Sequence, residues 1–154
     1  PGKSYCYGDG ATSTACPCGN DSAVGEGCAN STGYGASLVA SGTASAAGDD
    51  LVLHGSGLQA GQPGLYFQAN NAVNGAQGIT FGDGLRCAGG GIVRLQIRIA
   101  DSAGTSKTTA SIVTKGAVSA GDVRRYQVWF RNPGASSCGN FFNLSSGLEI
   151  VWVP

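Results

Sequence analysis

Residues 122–131, with the sequence DVRRYQVWFR, form the segment that indicates the fold most clearly. Tyr126, Val128 and Phe130 alternate with other residues at the two-residue period of a strand that has one buried face. The Asn-Pro-Gly turn at 132–134 ends the strand. The opposite side of this strand is then formed by Arg125, Gln127, Trp129 and Arg131.

Several other segments have a similar apolar pattern and are bounded by turn residues, among them an Asn-Gly pair at 74–75. These predicted strands are 36–43, 50–57, 64–70, 91–100, 108–116 and 147–154. In 91–100, we expect Val93, Leu95, Ile97 and Ile99 to point to the core and Arg94, Gln96 and Arg98 to face solvent. No 3.6-residue period is present, so helix should be almost absent. About seven strands predict an all-β antiparallel sandwich of the immunoglobulin or jelly-roll kind.

The chain divides by composition into two parts. Residues 1–35 are rich in Gly, Ser, Asn and Cys and show no period, which predicts an irregular segment held by disulfides. Residues 36–154 contain all the predicted strands and should form the sandwich. We expect both parts to belong to one structural domain.

Charge excludes several classes of function. The formal net charge is +0, and only 12% of the residues are charged. Nothing is basic enough to attract nucleic acid, and no apolar run approaches the length that inserts into a membrane. A surface with few charges has little electrostatic defence against association, which favours a homo-oligomer or polymer.

The cysteine count and the absence of methionine indicate where in or outside the cell the protein is found. The chain contains six cysteines and no methionine. We interpret the missing methionine as processing, most simply the removal of a signal peptide. An even number of cysteines favours an oxidising compartment, so the protein is expected to be secreted or exposed at the cell surface.

The cysteine spacing favours disulfides over metal or redox chemistry. Cys16 and Cys18 form Cys-Pro-Cys, whereas zinc sites use wider pairs together with histidines or further cysteine pairs. Proximity along the chain suggests Cys6–Cys16, Cys18–Cys28 and Cys87–Cys138. The crossed arrangement, Cys6–Cys18 with Cys16–Cys28, is also sterically conceivable.

The chain resembles a secreted module of environmental bacteria that often stands at the C-terminal end of large exported proteins. The similarity lies in the motifs CYGDG, ACPCGN, GCANSTGYGASLVASG, FGDGLRCAGGGIVRL, YQVWFRNP and FNLSSGLEIVWVP. The resemblance implies export and a compact module, and it transfers no catalytic residue. Some relatives keep a single early cysteine pair, which favours the sequential pairing in the first 28 residues.

Three groups of polar residues are candidates for chemistry or modification. Asp9 and Asp83 lie in aromatic-Gly-Asp-Gly motifs, where calcium is the functional alternative to a simple Asp-Gly turn; the turn is favoured. His54 lies in a strand without a nucleophile motif, so neither an enzyme nor a cofactor is expected. Glycosylation sequons stand at Asn20, Asn30 and Asn143.

Two apolar surfaces are candidates for binding. Trp129 on the polar side of its strand, with Arg125, Gln127 and Arg131 beside it, could stack on a sugar or anchor a subunit. The alternative is that a loop, such as the stapled N-terminal segment, covers it. The strand 147–154 is apolar on both faces, so Val151 and Val153 either lie inside a sheet or meet another molecule.

These patterns together predict a non-enzymatic structural or adhesive protein that self-assembles into an extracellular filament or surface layer. Residues 1–8 and 147–154 are the expected contact segments. The alternative function is an extracellular carbohydrate-binding module that uses Trp129 and its polar neighbours.

Overall fold

The computed structural model describes all 154 residues and contains thirteen strands and one short helix. The strands are β1 (Lys3–Tyr5), β2 (Ser37–Ser41), β3 (Val52–Ser56), β4 (Pro63–Ala69), β5 (Asn71–Ala72), β6 (Ile79–Phe81), β7 (Gly84–Arg86), β8 (Ala88–Gly89), β9 (Val93–Ile99), β10 (Ser106–Lys107), β11 (Val123–Arg131), β12 (Phe142–Leu144) and β13 (Gly147–Val151), and the helix is α1 (Ile112–Gly116). The predicted all-β fold with almost no helix is confirmed. No helix in the structure has the length and apolar character needed to span a membrane.

Two antiparallel sheets form the layers of the fold. The large sheet has six strands in the order β1-β13-β11-β4-β9, with β12 paired to the far half of β11. The small sheet has three strands in the order β10-β3-β2. Two hairpin-like pairs, β5 with β8 and β6 with β7, lie against the outer face of the large sheet, the face turned away from the small sheet.

The main core lies between the two sheets and contains 16 buried residues. Tyr126, Val128 and Phe130 of β11 are at most 1% exposed, as the alternation in 122–131 predicts. They pack in the same cluster as Leu38 of β2 and Leu53 of β3. Full burial of one such side chain contributes about 1.5–3 kcal/mol, so this cluster is the main source of stability.

The buried polar groups of the core satisfy one another. Trp152 Nε1 donates to Tyr126 Oη at 3.0 Å, and Tyr126 Oη donates to Gln68 Oε1 at 2.9 Å. Gln68 Nε2 in turn donates to the carbonyl of Gly116 at 2.9 Å. Burial raises the pKa of the Tyr126 hydroxyl, which therefore stays protonated and able to donate.

The prediction that Ile97 and Ile99 point to the core is wrong. They are 65% and 60% exposed, because the register between β4 and β9 shifts at a bulge. Leu95 is the extra residue: it is buried, and the next residue, Gln96, stands opposite the buried Tyr66. From that point the alternation is reversed, and Ile97 lies on the outer face opposite Leu65.

The predicted strand 108–116 is also wrong, since this segment contains α1. Ser111 is the N-cap residue, and its Oγ accepts a hydrogen bond from Thr114 N at 2.9 Å. Ser111 Oγ also donates to Asp49 Oδ2 at 2.6 Å, which fixes the start of the helix. The buried Ile112 attaches the helix to the core.

The disulfides differ from the predicted sequential pairing. The structure contains Cys6–Cys87, Cys16–Cys28 and Cys18–Cys138, and no cysteine is free. Of the predicted pairs only Cys16–Cys28, from the crossed arrangement, is present. The other two bonds join the N-terminal segment to distant parts of the sandwich, because the fold brings residues 81 and 120 positions apart into contact.

The N-terminal segment is not irregular throughout. Residues Lys3–Tyr5 form β1, which pairs with β13 at the edge of the large sheet. Tyr5 Oη also donates to the carbonyl of Cys87 at 3.0 Å, next to the Cys6–Cys87 bond. The irregular part is therefore residues 6–35, which we call the cap.

The strand at 147–154 is not an edge strand. Its regular part, β13, lies between β1 and β11, and Val153 forms a further bridge with Ser45. Val151 and Val153 are 57% and 48% exposed, but the backbone around them is already paired. Edge-to-edge pairing through this segment, as the sequence suggested, is therefore not available.

Candidate functional site

A row of three apolar side chains crosses the outer face of the large sheet. Trp129 of β11 is the register partner of Leu65 of β4, and Leu65 is the register partner of Ile97 of β9. Trp129 and Leu65 are half-buried, whereas Ile97 is largely exposed. The bulge in β9 creates this row, because without it Ile97 would face the core.

Aromatic side chains form a wall beside this row. The Phe81 ring of the β6–β7 hairpin lies 5.6 Å from the Trp129 ring, and the Phe142 ring of β12 lies 5.7 Å from it. Phe81 and Phe142 are themselves 5.1 Å apart. The predicted covering of Trp129 is thus partial, and the residues that pack on it come from the hairpin and β12 rather than from the cap.

The row and the wall enclose a groove. Its deeper part has a volume of about 140 Å³ and is lined by six apolar residues and two arginines. A shallower part continues towards Ile97 and Arg131, and the two parts share Leu65, Arg94 and Trp129. We call the whole the arginine-rimmed groove.

The charged residues of the groove are all cations. Arg86, Arg94 and Arg131 line it, and no aspartate or glutamate does. The two ion pairs of the protein use other arginines, so these three have no carboxylate partner in the chain. Arg86 lies 5.9 Å from the centre of the Phe81 ring, and its buried Nε has no hydrogen-bond acceptor.

Two of the predicted binding residues, Arg125 and Gln127, are structural. Arg125 forms an ion pair with Glu149 at 2.7 Å. Gln127 is fully buried, donates to the carbonyls of Leu85 and Ser145 at 2.8 and 2.7 Å, and accepts from Cys87 N at 2.9 Å. Its role is to hold the β7–β8 segment on the large sheet, so it cannot reach a ligand.

The edge of the large sheet lies directly beside the groove. β9 pairs on one side only, with β4, and its seven residues include the exposed Ile97 and Ile99. The side chain of Gln96 on this strand binds Thr109 N at 2.8 Å, which ties the strand to the segment before α1. α1 also packs against β9, but no strand pairs with β9 on this side.

The two candidate calcium residues are turn organisers. Asp9 accepts from Thr12 Oγ1 at 2.6 Å and from Thr12 N at 2.8 Å, and these bonds lower the pKa of its carboxyl. Asp83 is fully buried and accepts from Ser136 Oγ at 2.7 Å and from the backbone N–H groups of Cys138 and Asn140 at 3.0 Å. No group of three or more metal-ligating side chains is present.

Asp83 fixes the loop that carries one disulfide. Burial alone would raise the pKa of this carboxyl, but the hydrogen bonds from Cys138, Ser136 and Asn140 hold it below its ordinary value. The charged form is therefore the one that the loop is built around.

His54 lies next to a serine and bonds to no carboxylate. Its Nε2 is 2.7 Å from Ser41 Oγ on the open face of the small sheet. The neighbouring carboxylates are engaged elsewhere, Asp49 by Ser111 and Asp50 by Thr43. No nucleophile, base and orienting acid are brought together at this site.

The three sequon asparagines use their amide groups inside the fold. Asn30 is 3% exposed and Asn143 is fully buried, and both donate to backbone carbonyls. Asn20 Nδ2 donates to the carbonyls of Ala29 and Asp83 at 2.9 and 2.8 Å. A glycan has no room at the buried Asn30 and Asn143, and at Asn20 it would displace one of the two bonds, so the possible modification does not fit the folded chain.

Comparison with models of protein families, with curated proteins and with solved structures finds no match to this chain. The function is therefore argued from the site itself. Of the predicted surface residues, Trp129 and Arg131 belong to the groove. Sequence patterns missed Leu65, Ile97 and Arg94, because only the pairing of β11, β4 and β9 places them beside Trp129.

Proposed function

We propose that the protein is a secreted, non-enzymatic structural subunit that self-associates through the arginine-rimmed groove and the adjoining β9 edge. The assembly is an extracellular filament or surface layer, in which adhesion to other surfaces is a role of the assembled form. The observation that carries the proposal is the exposed row that ends in Ile97, beside a strand edge paired on one side only.

Two unsatisfied surfaces lie side by side at β9. An uncovered apolar row and an unpaired strand edge each favour contact with another chain. β9 is a long edge strand of seven residues, and beside Arg94 it leaves Ile97 and Ile99 exposed. A neighbour seated here covers the apolar side chains and pairs the backbone in one contact.

The three disulfides support an extracellular setting, because such bonds persist in oxidising compartments. They also suit a structural subunit. Cross-links restrict the unfolded chain, so each subunit of an assembly outside the cell resists unfolding without any chaperone to repair it.

The second candidate function is carbohydrate binding at Trp129. The half-exposed indole in the groove favours it, since sugar faces stack on aromatic rings. The lining disfavours it for neutral sugars, because its only charged groups are arginines and it offers no carboxylate or amide side chain to sugar hydroxyls. An acidic sugar is the form of ligand that this site would accept.

The test is the mass of the purified protein as a function of concentration, followed by negative-stain electron microscopy. The wild-type chain should form concentration-dependent assemblies, and Ile97→Asp should weaken association at least tenfold. Val39→Asp is the matched control, because Val39 is similarly exposed but lies on the small sheet.

Two results would contradict the proposal. One is a wild-type protein that stays monomeric at millimolar concentration. The other is equal disruption by Val39→Asp, which would mean that general solubility rather than the groove is being measured. Binding of acidic oligosaccharides that is lost in Trp129→Ala, without any assembly, would favour the carbohydrate-binding alternative.

A further inference from the structure

The cap exposes apolar side chains more strongly than any other part of the molecule. Val24 and Tyr34 are 69% and 67% exposed, the highest values among the large apolar residues. They lie in two turns joined through Glu26, whose Oε2 accepts from Ser22 Oγ and, at 3.0 Å, from Gly35 N. The Cys16–Cys28 bond holds the base of these turns.

The cap is also the acidic part of the chain. Residues 6–35 contain Asp9, Asp21 and Glu26 and no lysine or arginine. None of the three carboxylates takes part in an ion pair. Asp9 and Glu26 are engaged in their own turns, whereas Asp21 is exposed and accepts no side-chain hydrogen bond. We call Asp21, Val24 and Tyr34 the acidic cap surface.

The acidic cap surface and the arginine-rimmed groove are complementary in kind. Each combines exposed apolar side chains with charge of one sign. The groove has three arginines without a carboxylate, and the acidic cap surface has the free carboxylate of Asp21 in a segment that contains no lysine or arginine. Because the whole chain has a formal net charge of +0, this separation of charge is a local arrangement rather than an overall bias.

The acidic cap surface and the groove share no residue. The cap packs along the side of β12 away from β11, where Asn143 Nδ2 donates to the carbonyl of Cys28 at 3.2 Å and Leu144 lies against Gly27. The groove runs from Leu144 of β12 across β11 and β4 to β9. Within one folded molecule, no ion pair joins a cap carboxylate to an arginine of the groove.

We propose that the acidic cap surface of one copy docks in the arginine-rimmed groove of the next copy. This inference rests on the proposed function, since it names the partner of the same surface. The contact is heterologous: each copy uses two different surfaces, and one of each stays free at the ends. Such head-to-tail contacts extend into an open chain of subunits, whereas a two-fold contact would stop at a dimer.

The experiment uses two variants that each lack one surface. The groove variant carries Arg94→Glu with Ile97→Glu, and the cap variant carries Asp21→Lys with Tyr34→Lys. All four residues are exposed, so both chains should fold, which circular dichroism checks. The matched control carries Val39→Glu with Lys115→Glu, at exposed positions away from both surfaces.

Head-to-tail docking predicts a specific pattern of masses in light scattering. Each variant alone should be monomeric, because it lacks one half of the contact. An equimolar mixture should form a one-to-one dimer and nothing longer, since one intact groove meets one intact cap. The wild type and the control should form longer species, and 1 M salt should weaken them because the screening length falls to about 3 Å.

The outcomes separate this inference from the proposed function. If the wild type assembles but the mixture remains monomeric, or if the cap variant assembles like the wild type, the head-to-tail contact is wrong and self-association stands. If the wild type does not assemble at all, the proposed function fails first. If the groove variant alone forms dimers, a two-fold contact replaces the one proposed.

Discussion

The sandwich and the cap are held together by different forces. Between the two sheets, 16 buried residues form a continuous apolar cluster. Where the cap meets the sandwich, the buried cluster has five members, and four of them are the cysteines Cys6, Cys16, Cys28 and Cys87. The sandwich is thus stabilised by burial of apolar surface, and the cap by covalent bonds.

The backbone of the two regions is satisfied in different ways as well. Strand ladders pair the amides of the sandwich, but the cap contains no regular strand. Its loops depend instead on side chains such as Asn20, Asn30 and Asp9, which bond to nearby backbone groups. A glycine-rich sequence can therefore be ordered without a local apolar core, provided that polar side chains and disulfides replace it.

The largest expected effect comes from the disulfide that spans most of the chain. Replacing Cys18 and Cys138 by serine releases a loop of 120 residues and should lower the free energy of unfolding by about 5 kcal/mol on the chain-entropy account. Replacing Cys16 and Cys28 releases a loop of only 12 residues and should cost about 3 kcal/mol. Guanidinium denaturation measures both.

The two variants can be compared directly because both remove a disulfide that holds the cap. If the short loop costs as much as the long one, the contribution arises in the folded cap and not in the unfolded chain. The serine variants should keep the near-ultraviolet circular dichroism signal of the buried Trp152, since the core does not depend on these disulfides.

A core truncation tests the other side of the comparison. Phe130→Ala should lower the free energy of unfolding by about 4 kcal/mol, because it leaves a cavity between the two sheets. Ile97→Ala, on the same sheet but exposed, should change it by less than about 0.5 kcal/mol. Equal losses for the two variants would contradict the position of the bulge in β9.

The smallest of the expected losses of stability, apart from the Ile97→Ala control, is that of an Asp83 variant. Asp83→Asn removes the charge on which Ser136, Cys138 and Asn140 converge, and should lower the free energy of unfolding by about 2 kcal/mol. The loop of residues 136–140, to which Cys18 of the cap is bonded, should loosen while the core remains packed. Hydrogen exchange of the Cys138 and Asn140 amides, compared with that of β11, measures the difference.

The same residue gives a dependence on pH. The folded-state pKa of Asp83 lies below its ordinary value of 3.8, so its stabilisation is complete above that value and is lost as the pH falls through the folded-state pKa. Asp83→Asn should flatten this part of the acid-unfolding profile. An unchanged profile in the variant would mean that other carboxylates control acid stability.

The sequence predicts those parts of the fold that depend on local patterns. Alternation in 122–131 correctly gives the buried face of β11, and Asn74-Gly75 correctly gives a turn with positive φ at both residues. Alternation gives the wrong face for Ile97 and Ile99, because the bulge depends on the pairing of β9 with β4 and not on β9 alone. The strand predicted at 108–116 is wrong because the N-cap of Ser111 outweighs strand propensity and a helix forms instead.

Long-range features could not be predicted in this way. Proximity along the chain favoured pairing within the first four cysteines, but β1 carries Cys6 to the large sheet, where Cys87 lies. Likewise, Trp129 could be singled out by its position between polar residues, but its neighbours in the groove come from other strands. Both failures arise because topology, rather than sequence distance, determines which side chains meet.

The disulfide pattern also determines the order in which the protein can mature. When the chain emerges from its N-terminus, Cys6, Cys16, Cys18 and Cys28 appear together, long before Cys87 and Cys138. Only the native bond Cys16–Cys28 can form at that stage. Cys6 and Cys18, whose native partners are not yet made, are left to pair with each other. We therefore expect oxidative refolding to reach the native pairing faster with a catalyst that rearranges disulfides than with an oxidant alone.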